Sequence, residues 1–351
     1  MTATQTEKNP WSDWLTNLPE DGIKQLLDAL SDFGYSTKKS NGAAAPAQLV
    51  VDPLSTEIIT TRQSTDELLK EIEEHPPFVD VFGLVELFNK LLPTGANVIL
   101  KGEKGTGKSL AALVWAAQTK TPIVRQNCSD ETKETHQLGS FYLMGKQTPF
   151  ALGSFPTAIE CANEHGRCLL LPEEVNGLPA QIQKEWNSML DFHRSCTINK
   201  LKGKTFRLRK GAQLFVIATM NPSAYGGTYD LNEDFKSRCQ IVDVGYPPVS
   251  FEKQIIRANL AGQPVDDSIM DKVVNFAHET RQQATGYALS PRDTVALMVL
   301  INALGIEDAL QVCLGKFEGD DKKVAFGRIR SHFGDGVASK LRKSWRGGEG
   351  F

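Results

Sequence analysis

The chain has 351 residues, enough for two domains with cores of their own, and its 40% hydrophobic and 23% charged content is ordinary for a globular protein in water. A formal net charge of −3 excludes a global attraction to nucleic acid or anionic membranes, and no apolar run approaches the roughly 20 residues of a membrane span. The polar N-terminus lacks the basic-then-apolar order of a secretory leader, and six scattered cysteines without a C-x-x-C pair predict reduced thiols in a cytoplasmic protein, not a zinc site or a disulfide framework.

In chain order, Trp11, Trp14 and Leu15 precede Ile23–Leu30, whose apolar spacing suits an amphipathic helix, and Lys38–Ala47 is small and polar. Residues 1–45 are thus expected to form a short helical appendage and its linker. Across 46–247, apolar strands at Val98–Leu100, Ile123–Gln126, Cys168–Leu171, Leu214–Ala218 and Gln240–Val244 alternate with helical patterns. That alternation predicts an α/β subdomain with a parallel sheet and helices on its faces. After Pro247-Pro248 the periodicity becomes helical through Phe251–Leu260, Ser268–Gln283, Pro291–Leu304 and Glu307–Gly315, predicting a small all-helical subdomain over 248–335. The basic, glycine-rich end reads as a flexible tail over 336–351.

The chemistry starts at Gly102-Glu103-Lys104-Gly105-Thr106-Gly107-Lys108-Ser109, with an apolar strand before it and Leu110-Ala111-Ala112-Leu113 opening a helix after it. This is a Walker A pattern in its expected setting. Glycines allow backbone N–H groups to close around phosphates, and the helix N-terminus favours negative charge there. Lys108 is expected on the β- and γ-phosphates and Ser109 on Mg²⁺. The apolar strand Cys168–Leu171 then ends in Pro172-Glu173-Glu174; Glu173 is assigned to the metal and Glu174 to water activation. Another alignment makes Glu173 catalytic and puts Pro172 at the metal position.

Three further residues complete the candidate site. Asn221 follows the strand Leu214–Ala218 at Thr219-Met220-Asn221-Pro222, where its amide is suited to hold a water. Arg238, in Phe235-Lys236-Ser237-Arg238-Cys239, precedes the last strand of the sheet and suits a neighbour's phosphate. Arg292 follows an expected Ser290 N-cap and Pro291, a first-turn position unfavourable for a cation by the helix dipole, which points to a phosphate ligand.

This order of motifs resembles that of AAA+ ATPases. Gly153-Ser154-Phe155-Pro156-Thr157-Ala158-Ile159 and Asn221-Pro222-Ser223-Ala224-Tyr225-Gly226-Gly227 are similar to the MoxR/dynein-related branch, with CbbQ, NorQ and GvpN members nearest and CobS more loosely. The resemblance covers about Phe78 to Leu304. It implies a P-loop AAA+ core with a helical lid, ATP and Mg²⁺ as ligands, and assembly into a ring, usually a hexamer. It makes Asn221 sensor 1, Arg238 a finger acting in trans and Arg292 sensor 2. It also implies a protein client and a von Willebrand A domain protein as partner. Leu138–Gly153 looks like the branch's helix-2 insert and Thr197–Leu208 like its hairpin before sensor 1; both loops face the pore or the client in such rings. Lys200, Lys202, Lys204, Arg207, Arg209 and Lys210 make that hairpin basic, suited to nucleic acid or to an acidic protein segment.

One position departs from the pattern. Glu173 stands where the family has Asp, and the added methylene shifts the carboxylate by roughly the 1 Å that costs about 100-fold in rate. Slow or partner-dependent hydrolysis is therefore expected. Two other readings stay open: a motor acting on nucleic acid, and a nucleotide-gated structural ring with little turnover. A GTPase is disfavoured because Asn199-Lys200-Leu201-Lys202 lacks the Asp of a guanine-reading N-K-x-D sequence.

Overall fold

The computed structural model describes residues 58–59, 65–74, 77–143, 148–222, 229–282 and 287–344. The expected appendage over 1–45 lies outside these residues. β1 (Ile58–Ile59), α1 (Thr65–Glu74) and α2 (Leu84–Leu91) lead into β2 (Asn97–Gly102) and α3 (Lys108–Gln118). Then come β3 (Ile123–Asn127), α4 (Glu134–Leu138), β4 (Gly139–Phe141), β5 (Phe150–Leu152), α5 (Ser154–His165) and β6 (Arg167–Glu173). Short helices α6 (Ala180–Glu185) and α7 (Asn187–Leu190) precede the hairpin β7 (Ser195–Ile198) and β8 (Lys204–Arg207). β9 (Gln213–Met220), α8 (Glu233–Ser237) and β10 (Cys239–Val244) complete the α/β part. Six helices follow: α9 (Val249–Asn259), α10 (Asp267–Gln282), α11 (Pro291–Leu304), α12 (Ile306–Leu314), α13 (Gly319–Phe333) and α14 (Asp335–Ser344).

The five predicted strands form one parallel sheet in the order β10-β2-β9-β6-β3. Its central strands are near-continuous apolar runs because both faces are covered. On one face Leu100, Ala112, Trp115, Leu171 and Ile217 pack with α1, α2 and α3. Trp115 meets Phe88 and Phe215 edge-on, and its indole N–H donates to Asn89 at 2.9 Å. On the other face α5 and Trp186 close over Ile99, Leu170 and Val216. β4 and β5 form an antiparallel hairpin extended by β1, where the helix-2 insert was expected; 144–147 lie outside the described residues.

The helical part has its own core, with Ile256, Met270, Phe276, Leu297, Leu310 and Phe326 at its centre. It runs further than the sequence suggests. A flexible tail was expected from 336, but Asp335–Ser344 is helical, and Ala338 and Leu341 lie in that core. The basic residues mask the pattern: an apolar pair three apart, among polar neighbours, suffices to bury one stripe of a helix. No helix among the described residues is long and apolar enough to cross a membrane.

Candidate nucleotide site

In a parallel sheet of this order, the carboxyl ends of β2, β9 and β6 lie side by side, and loops leaving them converge. Lys104–Leu110 leave β2, Glu173 and Glu174 end β6, and Thr219 and Asn221 end β9. Together with Asn127 from β3 and Arg292 from α11 they line one cleft of about 710 Å³. Gly105 and Gly107 have φ of +73° and +86°, the left-handed region that lets the loop curl before α3. The Lys108 ammonium lies inside that curl, donating to the carbonyls of Gly102 at 2.8 Å and Glu103 at 2.6 Å. Burial pushes its pKa down to about 8, against the pull of Glu103 and Glu174. Gly102 and Glu103 thus contribute carbonyls that hold the lysine and do not line the cleft. Gly102 has a second duty: a Cβ there would overlap the Val244 carbonyl of the paired edge strand β10.

Glu174 stands in the left-handed region at φ +58°, unusual for a residue with a side chain. Three contacts hold it there. Its backbone N–H donates to the Thr219 hydroxyl at 3.2 Å, Asn221 Nδ2 donates to its Oε1 at 3.1 Å, and the Gly177 N–H donates to its carbonyl at 2.7 Å. Asn221 is itself fixed by buried Asn176, whose amide donates to the Asn221 carbonyl at 2.9 Å. Strain held by surrounding bonds in this way is a mark of functional positions. Glu173, one residue before, lies 3.6 Å from Arg125 of neighbouring β3, and Arg125 also pairs with Glu71 of α1 at 3.0 Å.

The first turn of α11 is placed as expected. Ser290 is the N-cap in a reciprocal capping box with Asp293, and Pro291 is at the first helical position. This turn sits directly on the phosphate loop: a Cβ on Gly105 would lie 2.7 Å from Ser290 Oγ and 3.2 Å from Arg292 Cβ. Arg238 is apart from the cleft. It caps α8 with its guanidinium on the Asp234 carbonyl at 2.7 Å, and it is partly exposed.

Residues 97–239 match the AAA domain (dynein-related subfamily). The match spans the parallel sheet from β2 to the start of β10 and makes that part of the chain similar to an AAA domain. The five-stranded parallel sheet with the helices after it is consistent with an AAA+ P-loop core followed by a helical lid. Among relatives, uncharacterized protein SH1500 of Staphylococcus haemolyticus is 27% identical over 236 residues, 65% of this chain and 87% of that protein. Uncharacterized protein YojN of Bacillus subtilis is 27% identical over 212 residues, 60% of this chain and 67% of its own length. Among solved structures, NtrX of Brucella abortus is 17% identical and covers 80% of this chain and 68% of its own, at a TM-score of 0.42, below the level from which a shared fold is argued.

The cleft extends beyond the motifs. Phe78, Val79 and Val81 precede α2, and Ile255 and Val295 come from the lid; these form an apolar wall beyond the phosphate loop. Asp80 pins that segment by accepting from the Leu84 and Val85 N–H groups at 2.8 and 3.0 Å. Sequence reasoning missed this wall, Thr219, Asn176 and Arg125. An aspartate four residues ahead of a helix was the one available signal for the wall. The donor set suits a nucleoside triphosphate with a divalent cation: left-handed glycines, a buried ammonium bonded to two backbone carbonyls, a hydroxyl at Ser109 and two carboxylates.

Proposed function

We propose that the chain is an oligomeric AAA+ ATPase of the MoxR/CbbQ-like kind, which couples binding and hydrolysis of ATP with Mg²⁺ to the remodelling or activation of a protein client. The observation that carries this reading is the convergence of Lys108, Glu173, Glu174, Asn221 and Arg292 on one cleft, with Glu174 held at a strained backbone position by Thr219 and Asn221. A carboxylate fixed to within one hydrogen bond of an amide is built to orient a water, not to decorate a surface.

In this reading the N–H groups of 104–110 and Lys108 hold the β- and γ-phosphates, and Ser109 and Glu173 hold the cation. A divalent cation held by Ser109 and Glu173 would supply charge neutralisation for phosphoryl transfer. Glu174 takes the proton of the attacking water while Asn221 fixes both. Arg292 adds positive charge from the lid, and the apolar wall from Phe78 to Val81 takes the base. Arg238 lies outside the lining of its own cleft, which suits it to the cleft of the next subunit in a ring such as a hexamer, and a von Willebrand A domain protein is the partner class that goes with this branch. The protein is read as cytoplasmic.

The basic hairpin supports a second reading, a motor on nucleic acid: Lys200, Lys202, Lys204, Arg207, Arg209 and Lys210 are all exposed in a chain of net charge −3. Turnover stimulated by nucleic acid, and lost as salt rises, selects it. The primary test is ATP hydrolysis against protein concentration, with Lys108→Ala and Arg238→Ala alongside. Specific activity that climbs with concentration and is lost in both variants supports the ring. Constant activity untouched by Arg238→Ala refutes it. ATP binding and assembly with no turnover selects the structural ring instead.

A further inference from the structure

Among its described residues the helical part holds an ion pair with both side chains buried that the nucleotide site does not use directly. Arg281, at the end of α10, meets Glu252 of α9 through two parallel bonds of 2.6 and 2.7 Å, with side chains 5% and 0% exposed. The same guanidinium donates through Nε to the Leu289 carbonyl at 2.6 Å. Glu252 accepts a further bond from the Thr294 hydroxyl of α11 at 2.8 Å. The face of the guanidinium lies 4.4 Å from the ring centre of Tyr246, in the four-residue linker between β10 and α9.

Stability alone does not account for this arrangement. A well-packed apolar pair in the same space often serves a fold equally well, because desolvating two charges cancels much of their attraction. What an apolar pair does not supply is direction. The planar fork, the third bond from Nε and the stacked ring fix one orientation of four chain segments relative to each other. Two of those segments matter to the nucleotide. Leu289 and Thr294 bracket the turn that carries Ser290 and Arg292, and that turn touches Gly105 of the phosphate loop. Tyr246 belongs to the linker on which the lid joins the α/β part.

We infer that Arg281, clasped by Glu252, is a positioning residue that sets Arg292 over the phosphate loop and ties that placement to the linker through Tyr246. It reaches no ligand itself; it acts through the Leu289 carbonyl and α11. The inference rests on the assignment of Arg292 to the nucleotide's phosphates. It implies that an ATP-filled cleft and the linker angle are read by the same guanidinium.

The test is a coupling measurement with a fluorescent ATP analogue and Mg²⁺. Arg281→Lys keeps the charge and loses the fork; Glu252→Met with Arg281→Met removes both charges and keeps the volume. Each is made in the native background and in Arg292→Ala, with thermal unfolding of every variant recorded. The expected result is analogue binding about tenfold weaker in either clasp variant alone, and unchanged by the clasp variants once Arg292 is Ala. Tyr246→Leu is expected to show the same dependence on Arg292 with a smaller effect. Clasp and Arg292 effects that multiply as independent factors overturn the inference, as does native-like affinity in the Met pair. Native protein that fails to bind the analogue, or Arg292→Ala that binds as tightly as native, refutes the underlying nucleotide assignment instead. Should Arg281→Lys fold poorly, the Met pair still decides.

Discussion

Replacing Lys108 by Met separates what this lysine costs the fold from what it does for a ligand. The residue is 8% exposed, and its ammonium is bonded to two carbonyls. Burial holds its pKa at about 8 against an ordinary value of 10.5, which corresponds to about 3 kcal/mol of penalty on the charged form at pH 7. Because the folded pKa is the lower one, the unfolded chain keeps the proton to higher pH. The penalty is therefore fully present below pH 8 and is relieved as pH rises from 8 to 10.5. Methionine removes the charge and with it the pH dependence, but also removes the ammonium's bonds to the Gly102 and Glu103 carbonyls, a loss of about 1–3 kcal/mol. At pH 7 the two effects nearly offset, so Lys108→Met is expected within about 2 kcal/mol of native stability. By pH 10.5 the native protein gains about 3 kcal/mol on the variant.

Urea unfolding of both proteins from pH 7 to 10.5 measures this directly, and titration of other lysines and tyrosines cancels in the difference. A difference that stays constant across that range refutes the buried-ammonium account. Ligand protection supplies the second half. Mg-ATP at a hundred times its Kd is expected to stabilise the native protein by about 2.7 kcal/mol at pH 7 and to leave Lys108→Met unchanged.

Glu174→Gln is expected to keep ATP binding and lower turnover by about 100-fold or more, the scale of a lost general base; steady-state ATPase against analogue affinity reads both. Arg125→Gln frees Glu173 from a half-exposed pair worth at most about 1 kcal/mol, so the Mg²⁺ concentration for half-maximal nucleotide binding is expected to fall by up to about fivefold; an unchanged requirement would show that Glu173 does not meet the cation. Gly105→Ala places a side chain at φ +73°, at about 1–2 kcal/mol, and against Ser290, so analogue binding is expected to weaken about tenfold or more in a protein that still folds.

How much of this was legible in sequence follows from what is local. The phosphate loop, the N-cap at Ser290 and all five strands of the sheet are set by residues within a few positions of each other, and they stand where the pattern put them. Their order also fixed the α/β class, since apolar strands interleaved with helices are covered on both faces. α13 lies inside the subdomain expected to be helical, though without a helix of its own there, and α14 falls where a tail was expected; both are rich in charge, and only a narrow stripe including Ala325, Phe326, Ile329, Ala338 and Leu341 is buried.

Convergence is a different matter. Nothing in the text around Asn176 says that its amide will pin Asn221, 45 residues away, or that Arg125 will face Glu173 from the adjacent strand. Such contacts exist only once the strand order is set, and strand order is a property of the whole sheet. The same reasoning explains why the departure at Glu173 was visible but its surroundings were not. A carboxylate one methylene longer than the usual one reads as a defect in sequence. In the folded protein it is the strand-end residue that a neighbouring cation already holds, at 3.6 Å, so the extra length is matched by a partner on the adjacent strand. On the proposed assignment of Glu173 to the metal, the longer arm and the guanidinium belong to one arrangement, in which the carboxylate has two places to go: toward Arg125 or toward a cation at Ser109. Competition between these, set by the half-exposed pair, makes the cation requirement the property most exposed to substitution at a residue outside the motifs.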